Sequence, residues 1–140
     1  MKRYELIEHM ADIAIKAYGD NLPEAFAAAA DGLFEIMTGG TDIEAKRNVR
    51  LEAKSIDREG LLVGFLSDLL LQFEVEQLVL KDFEVTFERE NSLTATAHGE
   101  RFDEKRHAHG YHVKGVSYHM MEIVDGKGTA PSHVQVLFDI

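Results

Sequence analysis

The chain has 140 residues, a formal net charge of −10 at pH 7 and a pI of about 5.1. That length is enough for one domain with its own hydrophobic core. An acidic surface repels phosphate backbones, and the basic residues are dispersed along the sequence, so direct nucleic-acid binding is not expected. Cysteine is absent, which excludes disulfides, thiolate zinc sites and thiol catalysis.

The sequence also contains no sign of a second domain or of a targeting segment. No apolar run approaches the ~18 residues of a membrane span, and no signal peptide precedes the first strand-like stretch. No segment is low in complexity or rich in linker residues. We therefore expect a single soluble domain over residues 1–140, in the cytoplasm.

The chain begins with two predicted strands and a helix. Residues 4–7 are rich in β-formers, and residues 12–19 alternate apolar with less apolar side chains, with Asp12 at the start on the less apolar side. Asn21 has the spacing of a capping box to a glutamate three residues later, which predicts a helix start. This helix is predicted to run to about Met37, where a pair of glycines stops it.

The middle of the chain predicts a strand and a second helix. Residues 49–54 alternate as a one-sided strand does. Asp57 is a suitable N-cap for a helix over residues 58–76, whose broad leucine and phenylalanine stripe predicts the main core helix. Gly60 and Gly64 lie one turn apart on it, which predicts close packing against the sheet at a helix-propensity cost of roughly 1 kcal/mol each.

The remaining residues predict a hairpin and two further strands. Residues 78–88 and 93–102 form the hairpin, whose second arm is less apolar and is predicted to lie near a sheet edge. Residues 116–124 and 134–140 supply the last two strands. Strands placed around two helices, with a late hairpin, predict an α+β fold: a two-layer α/β sandwich, with two main helices on a mixed, mostly antiparallel sheet.

Histidines are the first candidates for chemistry. His107, His109 and His112 have a spacing that either a transition-metal site or a solvated loop would explain, and no carboxylate motif is fixed beside them. His9 and His119 lie near predicted strands, where each could serve as an acid–base group or as a hydrogen-bonded structural residue. These alternatives remain open at the level of sequence.

Carboxylates are the second candidates, since no nucleophile elbow, P-loop, dinucleotide fingerprint or H-E-x-x-H motif occurs. Asp12 starts one strand, and Asp139 lies at the end of the last strand beside the α-carboxylate of Ile140. An apolar last residue suggests a docked terminus. Oxygen ligands alone would favour Ca²⁺ or Mg²⁺ over zinc. Whether these ends meet, or are solvated separately, the residues alone do not decide.

Three segments taken together resemble one known family. Residues 9–13 (HMADI) resemble the H-x-A-D-I opening of the archease family, and residues 113–119 (VKGVSYH) resemble its I-K-A-x-T-Y-H segment. Residues 136–140 (VLFDI) resemble its closing V-x-F-D-I. Gly115 and Ser117 depart from the family pattern, where alanine and threonine are usual. The resemblance covers essentially the whole chain in the same order.

The resemblance implies an accessory protein rather than an enzyme. Its expected partner is the tRNA-splicing RNA ligase, which joins an RNA 2′,3′-cyclic phosphate or 3′-phosphate end to a 5′-hydroxyl with GTP. The family is associated with guanylylation and multiple turnover of that ligase, with broader nucleotide use, and with chaperone-like effects on nucleic-acid-processing proteins. Neither a membrane nor direct nucleic-acid contact is implied.

The resemblance also carries site residues over to this chain. It implies a divalent metal site, with Ca²⁺ the usual ion, together with residues needed for ligase activation and residues that support them. An alternative hypothesis from the same carboxylates is a small metal-dependent phosphoesterase with a histidine base, and a second rival is a plain chaperone-like module. The implied metal ligands are Asp12, Asp139 and Ile140; the activating residues are Asp12, Lys114 and Asp139; the supporting residues are His9, Tyr118 and His119.

Overall fold

The structure is a computed structural model that describes residues 2–8 and 11–140, except for the side chain of Glu8. In these ranges, two helices and seven strands follow one another along the chain. None of the helices in these ranges is both long and apolar enough to cross a bilayer. In chain order the elements are β1 Arg3–Glu8, β2 Asp12–Gly19, α1 Leu22–Thr38, β3 Arg47–Lys54, α2 Arg58–Glu74, β4 Leu78–Arg89, β5 Ser92–Arg101, β6 Gly115–Val124 and β7 Ser132–Asp139.

The strands form two antiparallel sheets. A four-stranded sheet has the order β1-β2-β7-β6, and a three-stranded sheet has the order β3-β5-β4. Each helix contacts strands of both sheets. The predicted α+β sandwich with two main helices is thus confirmed, and the strands that were expected to share one mixed sheet are divided between two.

Helix α1 begins and ends where its capping residues require. The Asn21 side chain accepts a hydrogen bond from the backbone N–H of Glu24 at 2.9 Å, which satisfies one of the free donors of the first turn. Gly39 ends the helix in the left-handed conformation, with φ of 67°, and its N–H donates to the carbonyl of Glu35. That conformation favours glycine because it has no Cβ.

The prediction that α2 is the main core helix is wrong. Thirteen of the 17 residues of α1 are buried, compared with six of the 17 residues of α2. The reason is the run of four alanines at 27–30, whose small side chains let neighbouring layers pack close to α1 on several sides. Helix α2 keeps the expected single apolar stripe, begins after its Asp57 cap and ends at Glu74, two residues before the predicted end.

The prediction that the second hairpin arm lies near an edge is also wrong, because β5 is the central strand of its sheet. Its inward residues Leu93, Ala95 and Ala97 are each no more than 2% exposed and belong to the core. The less apolar character of this arm predicted an edge, but its small side chains are buried. They lie where larger side chains of the facing layer fill the volume.

Gly60 and Gly64 of α2 differ in the space around them, so substitutions at the two positions should change the stability in opposite directions. A Cβ on Gly60 would lie 2.2 Å from Ser55 Oγ and 2.9 Å from the capping oxygen of Asp57, whereas a Cβ on Gly64 would meet nothing within 4 Å. Close packing is therefore absent at Gly64. We expect Gly64→Ala to raise the free energy of unfolding by about 1 kcal/mol through helix propensity, and Gly60→Ala to lower it by disturbing the cap.

Urea unfolding followed by circular dichroism measures both changes. Gly60→Ala is the matched control, because it makes the same chemical change in the same helix. Equal effects of the two substitutions would contradict the packing described for α2.

Candidate functional site

The start of β2 and the end of β7 meet at one end of the four-stranded sheet. Asp12 lies directly opposite Asp139 in the β2–β7 pair, and Asp139 lies directly opposite Gly115 in the β7–β6 pair. Directly opposed residues of antiparallel strands have Cα atoms roughly 4.5–5.5 Å apart and side chains on the same face. We call this place the acidic junction, formed by Asp12, Lys114, Asp139 and Ile140.

Two backbone hydrogen bonds extend the pairing beyond the strands and fix the other members of the acidic junction. The N–H of Lys114 donates to the carbonyl of Asp139 at 2.7 Å. The N–H of Ile140 donates to the carbonyl of Ala11 at 3.1 Å. Ile140 is docked against the core, as its apolar side chain suggested. Asp12 and Ile140 are therefore neighbours in space, although they are 128 positions apart in the sequence.

One carboxylate oxygen of the acidic junction has no hydrogen-bond partner. Asp12 Oδ1 is buried, and it is the one buried side-chain N or O atom without a partner among residues 2–8 and 11–140. Leaving an ionised oxygen buried and unpaired is unfavourable, so such an atom needs an explanation. A bound cation would supply the missing partner, and the donors here are all oxygens, which suit a hard ion.

The groups at the acidic junction that could bind a metal ion are side-chain and main-chain oxygens. No group of three or more His, Cys, Asp or Glu side chains within the described ranges is arranged to hold a metal ion. An ion at the acidic junction would therefore bind the carboxylates of Asp12 and Asp139 together with main-chain oxygens such as those of Ile140, and with water. Zinc, which prefers nitrogen and sulfur ligands, fits this set poorly.

Two supporting residues lie on an irregular part of β6. Ser117 lies opposite Leu137 and Glu122 lies opposite Gln135. The four residues of β6 between Ser117 and Glu122 therefore span the same stretch as the single residue of β7 between Leu137 and Gln135, which makes a bulge. Tyr118 and His119 belong to this bulge and are exposed. They lie on the strand that continues from the acidic junction, not within it. His9, the third supporting residue, lies outside the described residues.

The three histidines of the connecting segment do not form a site together. His109 and His112 are exposed, with side chains 65% and 78% accessible. His107 is buried, so the solvated-loop alternative is wrong for this residue. Its Nδ1 accepts a hydrogen bond from the N–H of Asp103 at 2.8 Å, and its Nε2 lies 3.0 Å from Glu100. An accepting Nδ1 requires the ring proton to be on Nε2, which donates to Glu100.

Glu100 is the centre of a buried polar cluster that sequence reasoning missed. Its carboxylate accepts from the Arg106 guanidinium, the His107 ring and the N–H of Glu44. The guanidinium of Arg106 is the main reason that the pKa of Glu100 lies well below its usual range. Alternation in β5 places Glu100 on the outward side, and only the later segment folding back over it produces the burial. No local pattern signals that event.

The segment after this cluster leads directly to Lys114. The N–H groups of Gly110 and Tyr111 donate to the carbonyls of Met37 and Ile36, each at 2.8 Å, and so satisfy free acceptors at the end of α1. A Cβ on Gly110 would lie 2.0 Å from the Ile36 carbonyl oxygen, so this close approach requires glycine. Val113, the residue before Lys114, is buried in the core. These contacts fix the backbone that brings Lys114 to Asp139.

Comparison with known proteins agrees with the fold and with the family resemblance. The archease protein family (MTH1598/TM1083) matches residues 4–140. The chain is 42% identical to the archease of Pyrococcus abyssi, over 88% of this chain and 89% of the relative. It is 37% identical to the archease of Methanosarcina barkeri, over 99% of this chain and 97% of the relative.

A solved structure gives the same result. The solution structure of Methanobacterium thermoautotrophicum protein 1598 superposes with a TM-score of 0.73, at 32% identity, covering 98% of each chain. Two helices on antiparallel sheets, with Asp12 and Asp139 directly opposite each other, therefore define an archease-like α+β sandwich. The chain belongs to the archease family.

Proposed function

We propose that this chain is an accessory protein that activates the tRNA-splicing RNA ligase. It promotes guanylylation and repeated turnover of the ligase, broadens the nucleotides that the ligase accepts, and itself performs no chemistry on RNA. Family membership supports the proposal. The acidic character of the chain, −10 overall, suits docking on a ligase whose RNA-binding face is basic.

The observation that carries the proposal is the unpaired, buried Asp12 Oδ1 beside Asp139. We propose that a divalent ion, Ca²⁺, binds there to the two carboxylates and to main-chain oxygens of Ile140. Calcium tolerates irregular oxygen coordination at 2.3–2.6 Å, whereas Mg²⁺ demands near-octahedral geometry. When bound, the ion supplies a fixed positive charge that neutralises the acidic junction.

The residues of this chain then have separate roles in the proposal. Asp12 and Asp139 hold the ion. Lys114, whose backbone is fixed against Asp139 and whose side chain is exposed, presents a cation next to it. Together these groups present a defined arrangement of charge to the ligase.

The experiment that tests the function is guanylylation of the purified ligase with GTP and divalent ion, with and without this chain. The proposal expects faster guanylylation and several ligation turnovers per ligase only when the chain is added. No change in either quantity would contradict it. Hydrolysis of phosphoesters by the chain alone would favour the phosphoesterase hypothesis instead, and suppression of aggregation of unrelated proteins would favour the chaperone hypothesis.

A further inference from the structure

The outer face of the four-stranded sheet has a small apolar pocket next to the acidic junction. Its volume is about 90 Å³, roughly three times the share of one water molecule in the liquid. Drug-sized ligands need about 300–1,000 Å³, so this pocket suits one apolar side chain rather than a small molecule. We call it the bulge pocket; its lining residues are Ile7, Ala14, His119, Met120, Gln135, Val136 and Leu137.

The β6 bulge forms one wall of the bulge pocket and is held in an unusual backbone conformation. Met120 has a φ of 55°, which is disfavoured for a residue with a Cβ. The side-chain amide of Gln135 donates to the Met120 carbonyl at 2.9 Å, and the N–H of His119 donates to Ser117 Oγ at 3.0 Å. These bonds stabilise a conformation that a regular strand would avoid, as bulges beside functional sites do.

The result of the bulge is exposure of large apolar side chains. Tyr118 is 59% exposed, Met120 is 65% exposed and Ile7, across the bulge pocket, is 43% exposed. Methionine adapts its shape to a partner, and tyrosine and methionine are enriched in protein interfaces. Apolar side chains that are exposed together around a concave site indicate an interaction surface.

The charges beside the bulge pocket define what kind of partner fits. The neighbouring row of the sheet places Glu5, Lys16, Gln135 and Glu122 side by side on the same outer face. The row on the other side places Asp12 opposite Asp139. Four carboxylates thus lie in the rows on either side of the bulge pocket, together with the cations of Lys16, of Lys114 and of Arg3, whose guanidinium is 3.2 Å from Glu5. Because the chain as a whole carries a net charge of −10, a nucleic acid, an anionic membrane or a second copy of this acidic chain would be repelled.

We infer that the bulge pocket receives one apolar side chain from a protein segment that is flanked by lysine or arginine. This inference rests on the proposed function, in which that segment belongs to the ligase. It adds a second element of recognition to the acidic junction: an apolar anchor for affinity next to the ion that activates. The anchor and the ion lie in adjacent rows of one sheet, so one docked segment contacts both.

The test is the affinity of the purified ligase for the chain, measured by titration calorimetry, for Met120→Gly and Ile7→Ser. Glycine removes the Met120 side chain but accepts its positive φ, so thermal stability should be unchanged or higher, whereas affinity should fall about tenfold or more. Leu71→Ser is the matched control, since Leu71 is 54% exposed on α2 and lies away from the bulge pocket. It should bind with unchanged affinity.

A charge-reversal variant tests the proposed charge complementarity between this surface and the ligase. Glu122→Lys should slow association with the ligase and reduce its dependence on salt concentration, whereas Glu52→Lys on the three-stranded sheet should do neither.

The outcomes separate this inference from the function on which it rests. If the unaltered chain binds and stimulates the ligase, and Met120→Gly and Ile7→Ser bind as tightly, the bulge pocket is not the anchor and the inference is wrong. A change of oligomeric state in Met120→Gly, with ligase affinity unchanged, would also overturn it. If the unaltered chain neither binds nor stimulates the ligase, the proposed function fails as well.

Discussion

Calcium is expected to raise the thermal unfolding midpoint of the unaltered chain and to leave that of Asp12→Asn unchanged. An ion that binds only the folded state stabilises it by about 2.7 kcal/mol at a concentration 100 times its Kd. For a domain of this size that corresponds to a shift on the order of 10 °C. Removing a direct ligand should weaken binding by about 100-fold or more, which eliminates the shift.

The stability of Asp12→Asn in the absence of the ion is a second test of the same site. With the ion removed by a chelator, Asp12→Asn should be at least as stable as the unaltered chain, because a carboxylate with one buried, unpaired oxygen is replaced by a neutral amide. Calorimetric scans with Ca²⁺ and with chelator measure both effects. Glu84→Gln, an exposed change on the three-stranded sheet, is the control. A calcium shift of equal size in Asp12→Asn would exclude Asp12 as a ligand.

Glu100→Gln should cause the second large effect, a loss of about 3 kcal/mol of stability at neutral pH. The substitution leaves Arg106 and the buried His107 without their anionic partner. The guanidinium of Arg106 makes the pKa of Glu100 lower in the folded state than the value of 4.5 that is ordinary for glutamate. Its stabilising contribution is therefore fully present above about pH 4.5 and declines as the pH falls below that value.

The difference in unfolding free energy between Glu100→Gln and the unaltered chain should accordingly shrink in acid. Urea unfolding at pH 7 and at successively lower pH measures it. Glu52→Gln makes the same change at an exposed ion pair with Arg50 and should cost less than about 1 kcal/mol. A Glu100→Gln effect that does not vary with pH would contradict the assigned network.

Local rules were sufficient for much of the fold. The capping roles of Asn21 and Asp57 follow from short-range hydrogen bonding, and the strand periodicities follow from alternation of apolar residues. The central position of β5 and the deep burial of α1 could not be predicted in this way. Both depend on which layers face each other, and a small residue such as Ala95 is compatible with either an edge or a close-packed centre.

The candidate site also combines features that the local sequence predicts with features that it does not. Alternation identified Asp12 and Asp139 as strand-end carboxylates, but only the order β1-β2-β7-β6 makes them direct neighbours. The resemblance to archeases supplied their pairing, and the residues alone left it open. The Glu100 cluster has no local pattern, because it depends on the segment after β5 folding back over an outward-facing residue. The Met120 bulge has none either, because it depends on how β6 pairs with β7.

The most direct test of the account is ligase guanylylation in the presence of Asp12→Asn, Asp139→Asn or Lys114→Ala, each first shown to be folded. The account predicts that all three fail to stimulate the ligase, and that Lys114→Ala alone retains the calcium shift in thermal stability. Full stimulation by these three variants would contradict the claim that the acidic junction activates the ligase.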